Sequence, residues 1–246
     1  MTQRTFEQVW EVAAGIEGWM TRGQAEALYE AARKCPHGGR IVEIGSFRGR
    51  STIVLAGAAP EGARVFAIDP HAGNDRGPEE ITGYAEAAEG DRATFLANLA
   101  SAGVSDRVTH LRMFADAALA EIAGPVDVLY VDGAHRYAPA RADIRDWGGR
   151  VAPGGTLLIH DAFSSVGVTL AIFRELVFGR RFRYVERSRS LAIYRADLHG
   201  SRAANAGRQL AQLPWFVKNL TLKVALKLGL GKLLRRFGRE VPEWPY

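Results

Sequence analysis

Short apolar runs alternate with stretches of helical spacing through the middle of the chain. Each run is rich in valine, isoleucine or leucine and ends in a polar or glycine-rich turn. The five runs are residues 41–44, 64–68, 107–111, 126–131 and 156–159. Near-continuous apolar runs that alternate with helices are typical of strands buried on both faces of a parallel sheet. The pattern therefore predicts an α/β fold with a doubly wound sheet.

Two further runs follow near the end of this region. Residues 181–185 and 191–195 are joined by the polar residues 186–190. This arrangement predicts an antiparallel hairpin, which closes the sheet and brings it to seven strands.

Helical patterns flank the predicted sheet on both sides. Before it, Thr21 and Gln24 form a capping box, and the helical spacing that follows stops at a Gly-Gly pair. We therefore divide the chain into a helical lead-in over residues 1–38, a sheet domain over residues 39–195 and a helical tail over residues 196–246.

The composition is that of a globular protein. The 246 residues are 47% hydrophobic and 24% charged, which excludes a disordered chain. The one cysteine, Cys35, has no partner for an intramolecular disulfide, and the first ten residues lack the pattern of a secretory signal. We expect a reducing, cytoplasmic setting. No apolar run reaches the length of about 18 residues that a membrane-spanning helix needs.

The positive charge is concentrated in the tail. Residues 196–246 carry nine lysines and arginines against three acidic residues, and residues 215–239 interleave apolar and basic residues without an acid. A basic amphipathic helix of this kind can lie on an anionic membrane, which would make the protein peripheral to the membrane. The alternative is that it packs on the domain or on a second subunit, as in a homodimer. We expect no nucleic-acid binding, because a basic tail without base-reading modules binds only weakly.

A glycine-containing turn follows the first strand, in the sequence EIGSFRGRST. Gly45 and Gly49 allow the backbone to approach a ligand closely, Ser51 or Thr52 is polar at the start of the next helix, and Ser46 is a polar residue within the turn. Glu43, two residues before the first glycine, suits a positively charged ligand. The turn predicts a cofactor site.

Two later strand ends support a cofactor that carries a nucleoside. Asp69 ends the second strand, where an acid accepts hydrogen bonds from ribose hydroxyls, and Ala115 and Asp116 follow the third strand, where they can reach an adenine edge. NAD would use the same ribose contact, but Phe47 occupies the place of the second glycine in the NAD fingerprint. S-adenosylmethionine (SAM), with its sulfonium and ammonium groups, suits Glu43 better.

Four motifs together resemble those of class I SAM-dependent methyltransferases. They are IVEIGSFRGRST, VFAIDPH, VDVLYVDGAHRY and VAPGGTLLIHD, within residues 39–195. The closer likeness is to metal-dependent O-methyltransferases related to catechol O-methyltransferase, especially macrolide-sugar enzymes and methylmannose-polysaccharide 1-O-methyltransferases. The resemblance implies a Rossmann-like fold, SAM as cofactor and a hydroxyl group as acceptor.

A metal site is expected beside the predicted cofactor site. Asp132 ends the fourth strand, and His160 and Asp161 end the fifth, so two carboxylates from adjacent strands can share one cation. Oxygen ligands suit Mg²⁺, whereas an imidazole suits Mn²⁺ or Zn²⁺ better. In the family the second pair holds carboxylates or carboxamides, so His160 is a departure. In the alternative interpretation Asp161 caps the next helix and His160 only packs against the sheet.

His135 is the candidate catalytic base. It lies three residues after Asp132, and the resembling sugar O-methyltransferases carry a base at this position. An imidazole can accept a proton near neutral pH from a hydroxyl that a metal ion has acidified. His71 is a second polar candidate for the pocket wall, and Tyr137, Asp143 and Trp147 are expected to serve packing or surface pairing.

The long segment over residues 71–90 is rich in glycine and polar residues. It follows the second strand, so we interpret it as a lid or wall for the acceptor, with a tolerated surface insertion as the alternative.

These observations predict a SAM- and metal-dependent O-methyltransferase that acts on a hydroxyl of a sugar or oligosaccharide, such as the 1-OH of a mannose-based acceptor. Two alternatives remain open. One is methylation of a phenol or antibiotic hydroxyl, and the other is a SAM-binding or membrane-attached accessory protein without catalytic activity.

Overall fold

The computed structural model describes residues 4–72 and 85–227. The predicted lid over residues 71–90 therefore lies largely outside the described residues. The strands are β1 (Arg40–Ile44), β2 (Arg64–Ile68), β3 (Val108–Leu111), β4 (Val126–Val131), β5 (Val151–Ile159), β6 (Arg183–Ser188) and β7 (Leu191–Arg195). The α-helices are α1 (Phe6–Ala14), α2 (Arg22–Arg33), α3 (Arg50–Ala58), α4 (Ala85–Ser101), α5 (Ala115–Ala118), α6 (Tyr137–Asp146), α7 (Val166–Ile172), α8 (Arg202–Leu210) and α9 (Leu213–Lys227).

Within the described residues the strands form one seven-stranded sheet in the order β3-β2-β1-β4-β5-β7-β6. The first five strands in this order run parallel, and β7 runs antiparallel to both of its neighbours. The predicted doubly wound sheet with a closing hairpin is confirmed. The strand order reverses between β1 and β4, and ligands of such sheets bind beyond the carboxyl ends of the strands at this point.

Both faces of the sheet are covered. Side chains alternate between the faces along a strand, so Ile41 contacts one core cluster and Val42 contacts the other. The first cluster includes residues of α1 to α4, and the second includes residues of α6 to α8. Burial on both faces explains why the parallel strands have near-continuous apolar sequences.

The predicted lead-in forms two helices that pack on the first core cluster. Val9 of α1 and Leu28 of α2 are buried there. The predicted capping box is confirmed, because the Thr21 N–H donates to Oε1 of Gln24 at 2.8 Å. Gly57 of α3 lets α1 approach closely, since a Cβ atom at this position would lie 2.8 Å from Val9.

Two strands differ by more than one residue from their predicted bounds. β5 begins at Val151 rather than at residue 156, because the backbone of Gly154 and Gly155 continues the pairing with Ala196 where the apolar pattern is interrupted. β6 extends to Ser188, although residues 186–190 were predicted as a loop. It is the edge strand of the sheet, and its polar second half pairs with β7 through the backbone.

The C-terminal helices pack beside the hairpin. Trp215 and Phe216 of α9 contact the second core cluster, and the Arg187 guanidinium of β6 lies 4.1 Å above the Trp215 ring. Among the described residues, no helix is long and apolar enough to cross a membrane. Residues 228–246 of the basic tail lie outside the described residues, so membrane or subunit contact through the tail stays a prediction.

Candidate functional site

The loops after β1 and β4 meet at the carboxyl edge of the sheet. The Gly45 N–H donates to the carbonyl of Ile68, and the Asp132 N–H donates to the carbonyl of Ile44. Gly45 has a φ of 86°, and a Cβ atom there would lie 2.4 Å from the carbonyl oxygen of Asp132. Only glycine fits this position, because the backbone of the predicted cofactor turn lies directly against the loop of the predicted metal ligand.

Asp69 binds the backbone of the cofactor turn, which is the glycine-containing segment after β1. Its Oδ2 accepts the N–H groups of Ser46 and Phe47, both at 2.9 Å, and its Oδ1 accepts the N–H of His71 at 2.8 Å. The His71 ring is buried, and its Nε2 lies 2.9 Å from the Phe47 carbonyl. The buried His71 ring therefore contacts the backbone of the cofactor turn.

Glu43 is fully buried behind the same turn. Its Oε2 accepts a hydrogen bond from the Thr52 hydroxyl, whereas its Oε1 has no hydrogen-bond partner. Burial, with a smaller contribution from the negative charges of Asp132 and Asp69, raises the pKa of Glu43 to about 8. A buried carboxyl with an unpartnered oxygen is suited to a cationic ligand, which would offset the cost of ionising it.

The other predicted cofactor residues lie at the carboxyl edge or beside it. Gly49 has a φ of 88° and precedes α3, and Ser51 is buried in the first turn of that helix. The Ser46 hydroxyl is buried and has no hydrogen-bond partner. Ala115 and the exposed Asp116 begin α5, after β3. The unpartnered atoms of Ser46 and Glu43 fit a polar, positively charged cofactor at this turn.

The structure brings three predicted residues together beyond β4 and β5. Asp132, His135 and Asp161 each offer one ligand atom, and these atoms lie within 4.8 Å of one another. His135 Nε2 lies 2.8 Å from Asp161 Oδ2. Two carboxylates and one imidazole form a donor set that can hold a divalent cation.

His160 contacts both carboxylates of this cluster, although it is not one of the three residues whose ligand atoms lie together. It is buried, and its Nδ1 lies 3.1 Å from Asp132 Oδ1 and 3.7 Å from Asp161 Oδ2. Burial alone would lower the pKa of His160, but the two carboxylates outweigh it and raise the pKa to about 10. Burial likewise opposes ionisation of Asp161, yet His135 and His160 hold its pKa well below the usual value.

The alternative role for Asp161, as a helix cap, does not match the geometry. The N-cap residue of α7 is Ser165, four residues further on. Asp161 instead directs its carboxylate at His135 and has a φ of 54°, an uncommon value for a non-glycine residue. Trp147 is buried and donates its Nε1–H to the Ala115 carbonyl, which is the expected packing role.

Sequence reasoning missed Tyr130. It is buried in β4, and its hydroxyl donates to Asp132 Oδ2 at 2.8 Å. Burial, together with the charge of Asp132, raises the pKa of Tyr130 well above its usual value, so the phenol stays a donor. The signal was present, because side chains two residues apart on a strand point to the same face.

Known proteins share this architecture. Residues 42–162 match the model of a family described as a methyltransferase domain. The chain is similar in structure to the O-methyltransferase NovP, with a TM-score of 0.59, 16% identity, and coverage of 75% of this chain and 84% of that chain. It is also similar to an O-methyltransferase from Bacillus cereus in complex with SAH, with a TM-score of 0.57, 19% identity, and coverage of 78% and 90% respectively.

A third similar structure is the O-methyltransferase TomG from Streptomyces achromogenes, described as involved in tomaymycin synthesis and solved in complex with SAM. Its TM-score is 0.52 at 20% identity, with 78% of this chain and 88% of that chain covered. At such identities the similarity between these chains is one of fold.

Proposed function

We propose, from the match of residues 42–162 to a methyltransferase-domain family and from the shared fold, that the chain is a class I SAM-dependent methyltransferase, and on that premise we propose its reaction and its acceptor. It is an O-methyltransferase that methylates a hydroxyl of a sugar or oligosaccharide and uses a divalent cation, Mg²⁺ or Mn²⁺. The observation that carries this proposal is the convergence of Asp132, His135 and Asp161 beside the cofactor turn.

The cofactor turn supplies the binding groups for SAM. The buried Glu43 carboxyl and the Ser46 hydroxyl have unpartnered oxygens, and Asp69 stands at the end of β2, where ribose hydroxyls bind in related sheets. Bound SAM would supply the methyl group, with SAH as the product.

Asp132 and Asp161 would hold the cation. Their carboxylates follow adjacent strands. The Tyr130 hydroxyl donates to Oδ2 of Asp132, and His160 Nδ1 lies 3.1 Å from its Oδ1, so these two residues restrict the orientation of Asp132. A divalent cation there would orient the acceptor hydroxyl and increase its acidity.

His135 would take the hydroxyl proton. About a quarter of its side chain is exposed, at 24%, so an acceptor can reach it. Asp161 Oδ2, 2.8 Å from His135 Nε2, would orient the imidazole, which is the arrangement of a base with its orienting carboxylate. A second role is equally concrete, since the same position allows His135 to serve as a third cation ligand.

The acceptor class rests on the resemblance of the motifs to sugar O-methyltransferases. A phenol or antibiotic hydroxyl is the alternative, and it has support in the similarity to TomG, which is described as involved in tomaymycin synthesis. An accessory protein without activity is a weaker candidate, because it would not need Asp132, His135 and Asp161 together.

The experiment is an acceptor screen with methyl-labelled SAM. Free sugars, mannose oligosaccharides and phenols are run side by side, each with added Mg²⁺ or Mn²⁺ and with a chelator. We expect label on a sugar only when the cation is present. Label on phenols alone selects the alternative acceptor, and SAM binding without any transfer selects the accessory protein.

A further inference from the structure

We infer that Asn219 and Lys223 of helix α9 are positioning residues for the reaction, because they hold the loop that carries Asp161. This inference rests on the proposed function in one respect, namely that Asp161 acts in metal binding and proton transfer. The loop is defined here as residues 161–165, between β5 and α7, and is called the Asp161 loop.

The Asp161 loop has an unusual backbone. Asp161 has a φ of 54° and Phe163 a φ of 55°, although neither is a glycine. Such values are uncommon for non-glycine residues, above all for a bulky one such as Phe163, and they cluster at functional sites. Within the loop, the N–H groups of Ser164 and Ser165 both donate to the Asp161 carbonyl, at 3.1 and 2.9 Å. Contacts from outside must supply the remaining restraint.

Helix α9 supplies contacts to the two carbonyls in the middle of this loop. Asn219 is buried, and its Nδ2–H donates to the Phe163 carbonyl at 3.2 Å. One turn later, Lys223 Nζ donates to the carbonyl of Ser164 at 3.1 Å and to its hydroxyl at 3.2 Å. Phe163 itself is fully buried, so the loop is held from its side-chain face and from its carbonyl face.

The restraint extends to His135. The Ser165 hydroxyl donates to the His135 carbonyl at 3.2 Å, and a Cβ atom at Gly167 would lie 2.2 Å from that same oxygen. The loop of His135 is therefore packed directly on the end of the Asp161 loop. A shift of the Asp161 loop would alter the 2.8 Å contact between Asp161 and His135.

Helix α9 is itself well anchored at its start. Phe216 packs on the core, and Arg187 of β6 both donates to Gln212 at 2.7 Å and lies over Trp215. The hairpin, α9 and the Asp161 loop thus form a continuous series of contacts that ends at the two side chains proposed to do the chemistry. A helix that only covered the core would not need a buried amide and an ammonium directed at loop carbonyls.

The test uses the full chain with Asn219→Ala and Lys223→Met, and with Lys223→Arg as the conservative variant. Thr221→Ala is the matched control, because Thr221 is exposed on the same helix and bonds only its own helix backbone. Hydrogen exchange of the Ser164 and Ser165 amides reports the loop, calorimetry with Mn²⁺ reports the cation site, and calorimetry with SAH reports the cofactor turn.

We expect Asn219→Ala and Lys223→Met to speed exchange of these two amides and to weaken Mn²⁺ binding by about tenfold, the lower end of the effect of removing direct partners of metal ligands. Lys223→Arg should restore both values, and SAH affinity should be unchanged in all variants. If the Ser164 and Ser165 amides exchange no faster in Asn219→Ala and Lys223→Met than in Thr221→Ala, the inference is overturned. A wild-type protein that binds neither Mn²⁺ nor an acceptor would overturn the proposed function instead, and faster exchange in Asn219→Ala would then still support the restraint. If Asn219→Ala does not fold, amide exchange and Mn²⁺ affinity are compared between Lys223→Met and Lys223→Arg, and this comparison tests the inference.

Discussion

The hydroxyl of Tyr130 donates a hydrogen bond to Oδ2 of Asp132 at 2.8 Å, inside the protein. Tyr130 is paired in register with Glu43 on the neighbouring strand β1. One buried phenol therefore lies between the acid of the cofactor turn and the proposed cation ligand. The cofactor site at Glu43 and the proposed cation site at Asp132 therefore have Tyr130 as a common neighbour.

Replacing Tyr130 with phenylalanine should weaken the cation site selectively. The ring and its packing remain, but Asp132 loses the donor that fixes its carboxylate. We expect Mn²⁺ affinity to fall by about 10- to 100-fold, with SAH affinity within a few fold of wild type. Calorimetry with each ligand measures both values. Equal losses for the two ligands would contradict a role confined to Asp132.

Replacing Asp69 with alanine should weaken cofactor binding. Asp69 accepts three backbone N–H groups that shape the glycine turn, and it stands where ribose hydroxyls are expected. We expect a loss of about 1–3 kcal/mol in SAM or SAH binding free energy, from lost hydrogen bonds to a charged group. Asp116→Ala, an exposed acid beyond β3, is the comparison and should lose less. Binding of NAD without binding of SAM would contradict the cofactor assignment.

The sheet could be predicted because its parallel strands are buried on both faces, which leaves a continuous apolar signature. β6 shows the limit of that signature. Its second half, Glu186 to Ser188, is polar because it lies at the sheet edge, and backbone pairing leaves no trace in the side-chain pattern.

The site could be predicted as far as strand ends determine it. Asp132 and Asp161 follow adjacent strands and do meet. The sequence did not show which histidine, His135 or His160, places a ligand atom together with those of the two carboxylates. His160 Nδ1 contacts both carboxylates, but the three ligand atoms that lie within 4.8 Å of one another belong to Asp132, His135 and Asp161. The contacts from α9 join residues 56 and 59 positions apart, beyond any local pattern.

SAM affinity should depend on pH through Glu43. Without cofactor the raised pKa of about 8 keeps this carboxyl largely neutral at pH 7, under the influence of burial, Asp132 and Asp69. The positive charge of bound SAM favours the ionised carboxylate of Glu43, so SAM binding releases a proton from Glu43. The affinity should therefore rise between pH 6 and 8, by at most about tenfold per pH unit, and level off above pH 8.

Glu43→Gln provides the control for this pH dependence. The variant keeps the shape of the side chain but cannot ionise, and titration of SAM itself is the same for both proteins. The ratio of wild-type to variant affinity, measured by calorimetry from pH 6 to 8, should increase with pH. A constant ratio would show that Glu43 does not ionise when SAM binds.

Removal of divalent cations should abolish methyl transfer. Asp132 and Asp161 are the proposed ligands, so Asp161→Asn should weaken Mn²⁺ binding sharply, while SAH still binds at the cofactor turn. Turnover after exhaustive chelation, followed by added Mg²⁺ or Mn²⁺, measures the first effect. Full activity in the chelated enzyme would contradict the metal assignment, whatever Asp161→Asn does.

His135 should prove to be the base. His135→Ala should keep SAH and Mn²⁺ binding but lower kcat by about 10²- to 10⁴-fold, the usual contribution of a positioned proton transfer. The exposed His37 gives the matched control, and His37→Ala should leave kcat unchanged.

Two results would reassign His135. Loss of Mn²⁺ binding in His135→Ala, to the extent seen in Asp161→Asn, would make it a cation ligand, in agreement with its place within 4.8 Å of both carboxylates. A kcat within a few fold of wild type, together with loss of activity in His160→Ala or His71→Ala, would place the base elsewhere. The ligand and base roles separate because the first depends on the cation in the absence of any acceptor, whereas the second is visible only during turnover.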